Sequence, residues 1–169
     1  MSPAIHRDAS GLVRVQGRFY RAVDPEFEGS ALDGSRSPGR YSPAGRRTLY
    51  LSSSVEGVAA AMIKHARDRS AHLKVLAFDV HAERIADLRD AQAMSAFGIE
   101  PADAFGDWQA VLADGGTPPS WRVRDALEGA GASGLIDPSR KRPGLWHLTL
   151  FAWNQDGAPS VHPAGEADS

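Results

Sequence analysis

The stretch from residue 24 to residue 47 does most to limit what this chain can fold into. It holds Asp33-Gly34, Ser37-Pro38-Gly39 and Ser42-Pro43-Ala44-Gly45, all turn formers. Arg36, Arg40, Arg46 and Arg47 fall in the same stretch. It therefore reads as one long basic loop, and long loops inside compact domains are often functional. Regular structure has to come from the segments on either side.

Residues 12–23 (LVRVQGRFYRAV) alternate apolar and basic side chains in part, which predicts a strand or two. Residues 48–52 (TLYLS) read as a short strand. Ser53 stands three residues before Glu56, the spacing of a capping box. Val55, Val58, Ala59, Met62 and Ala66 then recur at helical spacing, so a helix is expected over about 54–69. Residues 73–80 (LKVLAFDV) form the best candidate for a central strand, and 85–88 for another short one. Trp108, Val111 and Leu112 fit one face of a short helix starting near Asp107. Ser120 is placed to cap a helix striped by Val123, Ala126, Leu127 and Ala130, which Gly131 or Gly134 would end. Residues 145–154 (LWHLTLFAWN) read as a strand with Trp146, Leu148 and Leu150 on one face. The result is one domain over 1–154, followed by a Pro/Gly-rich tail over 155–169 expected to fray.

Composition narrows the function classes. A chain of 169 residues with 42% hydrophobic and 24% charged residues is long enough and apolar enough to bury a continuous core. Lys plus Arg number 19 and Asp plus Glu 21, a net charge of -2 that gives no electrostatic case for direct nucleic-acid binding. The absence of Cys excludes disulfides, thiolate metal sites and Cys nucleophiles. No apolar run approaches a membrane span, and the first residues lack the apolar core of a secretory signal, so the expected location is the cytoplasm.

Several residues invite chemical readings. Guanidinium groups grip phosphate oxygens bidentately, so Arg21, Arg40 and Arg46 or Arg47 are candidates for a pyrophosphate clamp; a solvated loop with scattered ion pairs is the plainer alternative. Ser139, at a strand-to-turn position, can present its hydroxyl to a cleft or serve as an ordinary turn residue. Tyr50 can offer a ring face or sit in the core with its hydroxyl satisfied. Among the 6 histidines, His65, His72, His81 and His147 show no metal-ligand spacing and read as surface or satisfied core residues, so no metal is expected. Trp121, Trp146 and Trp153 read as core aromatics.

Four segments in order resemble the RES-domain family, from about Phe19 to Asn154. They are Tyr20-Arg21-Ala22; Gly39-Arg40-Tyr41-Ser42-Pro43-Ala44-Gly45 with Leu49-Tyr50-Leu51-Ser52; Pro118-Pro119-Ser120-Trp121 with Gly134-Leu135-Ile136-Asp137-Pro138-Ser139; and Gly144-Leu145-Trp146-His147-Leu148-Thr149-Leu150-Phe151. The resemblance implies an α+β, ADP-ribosyltransferase-like split β-sheet with flanking helices around an NAD cleft. It implies a toxin that consumes NAD+ as substrate or transfers ADP-ribose, neutralised by an Xre-type antitoxin that blocks the cleft. On the same resemblance Arg21, Tyr50 and Ser139 are the catalytic candidates, and Arg21, Arg40, Tyr41, Tyr50 and Ser139 the nucleotide-binding ones. Arg21 and Arg40 would hold phosphate, Tyr50 would pack on the nicotinamide or its ribose, and Ser139 would bond the nicotinamide end or help place the acceptor.

The chain departs from the family at one place. The family Glu is expected on the helix after Tyr50, where residue 61 is Ala within Ala59-Ala60-Ala61-Met62. Glu56 lies about 140° around and 7.5 Å along such a helix from that position and would point elsewhere. Three readings stand: an alignment shifted by a turn, an engineered Glu-to-Ala change that tames a toxin, or a natural variant with altered or lost activity. The expectation is thus an NAD+-degrading toxin. A protein ADP-ribosyltransferase and a non-catalytic nucleotide- or antitoxin-binding module are the alternatives. The acceptor, the antitoxin's identity and the oligomeric state, homo-oligomer included, are left open.

Overall fold

Alternation along the strands sets the architecture. The computed structural model describes residues 2–62 and 73–167, without the side chains of 60–62. Seven strands form one sheet: β1 (Ala4–Arg7), β2 (Val13–Val23), β3 (Leu49–Ser52), β4 (Lys74–Asp87), β5 (Gly134–Pro138), β6 (Trp146–Leu150) and β7 (Ser160–Glu166). β2 runs antiparallel to β4 along almost its whole length, with β1 and β7 on the outer sides. A second group, β3–β6–β5, is antiparallel throughout. The two groups meet at Tyr20 opposite Ser52 and where β5 runs parallel to β4 over Ile85 to Asp87. The sheet is therefore split into two halves that curl toward each other, in an α+β single domain with flanking helices.

Every second side chain of both halves enters the space between them. Val15, Phe19, Leu49, Leu51, Phe78, Ile85, Ile136, Trp146, Leu148, Leu150 and Val161 form this buried core. Phe19 meets Trp146 edge-on at 5.5 Å between ring centres. Leu135, the neighbour of Ile136, points the other way into a second core beneath the helices. The helices are α1 (Val55–Met62), α2 (Ala91–Ala96), α3 (Pro101–Phe105), α4 (Trp108–Ala113) and α5 (Pro119–Gly129), of which α2, α3 and α5 cover that core. Leu88, Met94, Ile99, Ala104, Val123 and Leu127 fill that second core. Burying apolar side chains on two faces of β5 is what makes 134–136 (Gly-Leu-Ile) apolar in succession.

The sequence reading needs correction at several points. The tail expected to fray contains β7, whose register pairs Val80 with Val161 and Asp79 with His162. An edge strand needs few apolar residues because its ladder hydrogen bonds come from the backbone, and Val161 alone inserts into the core. The two strands expected at 73–80 and 85–88 are one strand, β4, which passes through Arg84 in a left-handed conformation (φ 59°). The α1 cap is Ser54, whose hydroxyl accepts from the Gly57 N–H at 3.0 Å, rather than Ser53 with Glu56. Of the helix expected over 54–69, the part beyond Met62, with His65, and the following His72 lie outside the described residues. Ser120 is buried inside the first turn of α5 and does not cap it. Asp107 does cap α4, accepting from the Ala110 N–H at 3.1 Å. No helix among the described residues is long and apolar enough to cross a membrane.

Candidate active site

The outward rows of β3, β6 and β5 lie side by side. Tyr50 stands opposite Thr149, which stands opposite Leu135; Ser52 stands opposite His147, which stands opposite Asp137. Facing these rows, α3 and α4 contribute Phe105, Asp107 and Trp108, β2 contributes Arg21, and the turn after β5 contributes Ser139, Arg140 and Lys141. Together they enclose a cavity of about 720 Å³. That size is typical of small-molecule and cofactor sites, about 300–1,000 Å³.

All five residues singled out in the sequence, Arg21, Arg40, Tyr41, Tyr50 and Ser139, line this cavity. They are not equally free. Arg40 Nη1 donates to the carbonyls of Ala104 (3.1 Å) and Gly106 (2.6 Å), tying the loop to α3. Tyr41 is 1% exposed, and its hydroxyl donates to Asp137 Oδ1 at 3.1 Å. Burial, with Asp137 beside it, raises the pKa of the Tyr41 phenol well above its ordinary value. The Tyr50 hydroxyl is 2.7 Å from Ser42 Oγ and accepts from the Tyr41 N–H at 3.1 Å. Its ring therefore lines the cavity while its hydroxyl braces the loop. Gly39 is required at this corner, since a Cβ there would lie 2.6 Å from the Tyr50 hydroxyl oxygen. Ser139 Oγ accepts from the Arg142 N–H at 3.2 Å, closing the turn and leaving the hydroxyl proton free to point elsewhere.

Arg21 differs from the others. Its Nη1 is buried with no hydrogen-bond partner among the described residues. Burial lowers its pKa from the ordinary guanidinium value, yet a guanidinium stays charged in proteins. Burial also lowers the pKa of Arg40, with Arg140 adding to the effect. The two lining carboxylates, Asp107 and Asp137, offset only part of the charge of Arg21, Arg40, Arg140 and Lys141. Asp137 is held by both terminal nitrogens of Arg140, at 3.2 and 3.0 Å, and Asp107 is engaged as the α4 cap. The cavity thus presents unbalanced positive charge, and an anionic ligand would satisfy it.

Other members of the clamp envisaged from sequence lie elsewhere. Arg46 pairs with Asp125 (2.6 Å) and Glu128 (2.8 Å) on α5, and Arg47 donates to the Asp33 carbonyl and stacks on Trp153. Neither lines the cavity. The lining residues not singled out for the site include Ser52, Asp107, Asp137, Arg140, Lys141 and His147. The alternation of Trp146, Leu148 and Leu150 already places His147 on the opposite face of β6, but its neighbours depend on cross-strand register, which the sequence does not spell out. The side chain of Ala61 is outside the described residues. Among those residues, no cluster of His, Asp and Glu is arranged to hold a metal.

A split α+β sheet carrying a basic, nucleotide-sized cavity defines the class of protein. The family model of the RES domain matches residues 12–168, so the chain belongs to the RES domain family. The match takes in β7 as well as the four segments read from the sequence. The fold is similar to that of the MbcT toxin in the crystal structure of the M. tuberculosis MbcT-MbcA toxin-antitoxin complex. That alignment has a TM-score of 0.61 at 18% identity and covers 96% of this chain and 88% of that one. No curated protein sequence matches.

Proposed function

We propose that this chain is a RES-type toxin whose cavity binds NAD+ and cleaves its nicotinamide–ribose bond, and that an antitoxin of the Xre type restrains it. The observation that carries the proposal is the buried, unpartnered Nη1 of Arg21 in a cavity of nucleotide size with unbalanced positive charge. A dinucleotide brings a pyrophosphate, which suits Arg21 and Arg40. Membership of the RES family and the likeness to a toxin solved with its antitoxin support the biological context.

The chemistry asks little of acid catalysis. The pyridinium leaves as a neutral nicotinamide, so its ring nitrogen needs no proton, and the demand is to orient the dinucleotide and stabilise an oxocarbenium-like centre. The Tyr50 ring offers a flat face for the nicotinamide or its ribose, and the free hydroxyl proton of Ser139 can bond the carboxamide. The test is NAD+ loss over time with the purified chain and with its Ala61→Glu variant, read by chromatography of the products. Consumption by either form, abolished by Arg21→Ala in the same background, is the expected result. NAD+ left intact by both forms would refute the proposal.

A second reading follows from residue 61. With Ala there, the lining carboxylates are Asp137, held on both oxygens by Arg140, and Asp107, whose Oδ1 caps α4, and neither stands on the helix where the family resemblance expects its Glu. The chain would then be a disabled member that binds nucleotide and antitoxin without turnover. Turnover by Ala61→Glu but not by the parent chain would establish that state. Mass spectrometry of lysate proteins for an ADP-ribose adduct separates transfer to protein from release of free ADP-ribose.

A further inference from the structure

Ser52 and His147 face each other across β3 and β6, with Ser52 Oγ 2.9 Å from His147 Nδ1. Both line the cavity, and Ser52 is buried. In the tautomer in which Nδ1 carries the proton and donates to Ser52 Oγ, Nε2 is an open acceptor, and it has no partner among the described residues. Thus a tethered imidazole stands in the cavity with one nitrogen uncommitted, and nothing in the bond-cleavage step described above uses it. We infer that His147, oriented by Ser52, is the base that takes the proton from the acceptor hydroxyl, an inference that rests on the NAD+-cleaving reading of the cavity.

The step balances. The N-glycosidic bond breaks with its electron pair passing to the pyridinium nitrogen, which becomes neutral nicotinamide. The acceptor oxygen, from water or an alcohol, forms the new bond to the ribose anomeric carbon, and its proton passes to His147 Nε2. The resulting imidazolium keeps its Nδ1–H bond to Ser52 Oγ. The charged groups that act on the ring are Asp137 on β5 and Arg140 on the turn after it, and Arg21, Arg40, Tyr50, Asp107 and Lys141 line the same cavity. Burial lowers the pKa of His147 from its ordinary value, Asp137 opposes that shift and Arg140 reinforces it, so the ring is a neutral base at physiological pH.

The experiment is a pH–rate profile of NAD+ consumption, run in whichever of the chain and its Ala61→Glu variant turns over, with His147→Gln and Ser52→Ala made in that background. ADP-ribose binding by calorimetry and a thermal melt accompany each variant. The parent should lose rate along a single acid limb below the usual imidazole range. His147→Gln should remove that limb and lower the plateau by about 10²-fold or more, with ADP-ribose affinity little changed. Ser52→Ala, in which the imidazolium loses its acceptor, should keep the limb, move it to lower pH and lower the plateau by a smaller factor. A His147→Gln variant that keeps both rate and limb would overturn the inference while leaving the NAD+ reading intact. So would a rate loss matched by an equal loss of ADP-ribose affinity. If His147→Gln does not fold, an unmoved limb in Ser52→Ala overturns it instead. Absence of any NAD+ consumption refutes the function proposed above, and this inference with it.

Discussion

Two walls of the cavity are built in opposite ways. The segment 39–48 is fastened from behind by one face of α5. Ser120 Oγ donates to the Arg40 carbonyl, and Trp121 Nε1 donates to the Gly39 carbonyl at 2.8 Å. Arg124, 2% exposed, donates to the carbonyls of Tyr41 and Arg47 (both 3.2 Å) and to Thr48 Oγ1 (2.5 Å). The turn 139–144 has no such backing. It is closed by Ser139 N to the Leu145 carbonyl (2.9 Å), by Ser139 Oγ and by the Arg140–Asp137 pair, and residues 140–144 are exposed. A loop rich in Gly and Pro can therefore be as fixed as a strand when buried side chains satisfy its carbonyls, whereas a similar turn left in water depends on its own short bonds.

The largest expected effect comes from removing the central fastener. Arg124→Ala strips three hydrogen bonds from the 39–48 segment and leaves the Tyr41 and Arg47 carbonyls without their partner, while Glu128 keeps only Arg46. A loss of about 3–5 kcal/mol is expected, read by urea denaturation. An unchanged midpoint would mean that the segment is held by something other than α5. Gly39→Ala comes next. Its added methyl runs into the Tyr50 hydroxyl and Ser42 Oγ, and about 1–3 kcal/mol of overpacking cost should appear together with weaker nucleotide binding. Trp121→Phe deletes the Nε1 bond together with part of the ring of a half-buried side chain, so about 1–2 kcal/mol is expected by the same denaturation assay.

His147 gives a test that spares both walls. Its pKa is lowered in the folded state, so between the folded and unfolded values the unfolded chain binds more protons. The contribution is fully present above the unfolded value of about 6.5 and is lost as pH falls toward the folded value, with a slope of at most about 1.4 kcal/mol per pH unit. His147→Gln should flatten that part of the stability–pH curve. The smallest effect belongs to the exposed turn. Lys141→Ala should change stability by less than about 0.5 kcal/mol, yet weaken nucleotide binding several-fold if the cavity takes an anion. A stability loss like that of Arg124→Ala would erase the distinction between the walls.

Much of this was legible in the sequence, for identifiable reasons. β3, β6, the Asp107-capped α4 and α5 follow from local pattern and capping chemistry, which act over a few residues. β7 was not legible, because Ser-Val-His-Pro-Ala-Gly-Glu has no apolar alternation and forms a strand only because β4 offers it an open edge. The continuity of β4 was hidden by Arg84, an unusual residue for a left-handed turn of the backbone. At the site, the five residues named from sequence do converge on one cavity, but the sequence could not show that the hydroxyls of Tyr41 and Tyr50 are already committed to Asp137 and Ser42. Nor could it show Ser52 beside His147, since that neighbour relation joins two strands far apart in the chain through tertiary register.

That same register bears on when the cavity can first form. Ser52 and His147 are 95 residues apart in the chain, and β3 has its full ladder only with β6. At a synthesis rate of about 5–20 residues per second, several seconds separate the emergence of the two strands from the ribosome. Through that interval the floor of the cavity cannot exist, whatever else has folded. Pairing partners so distant in the chain defer the pocket itself until translation of the domain is nearly done.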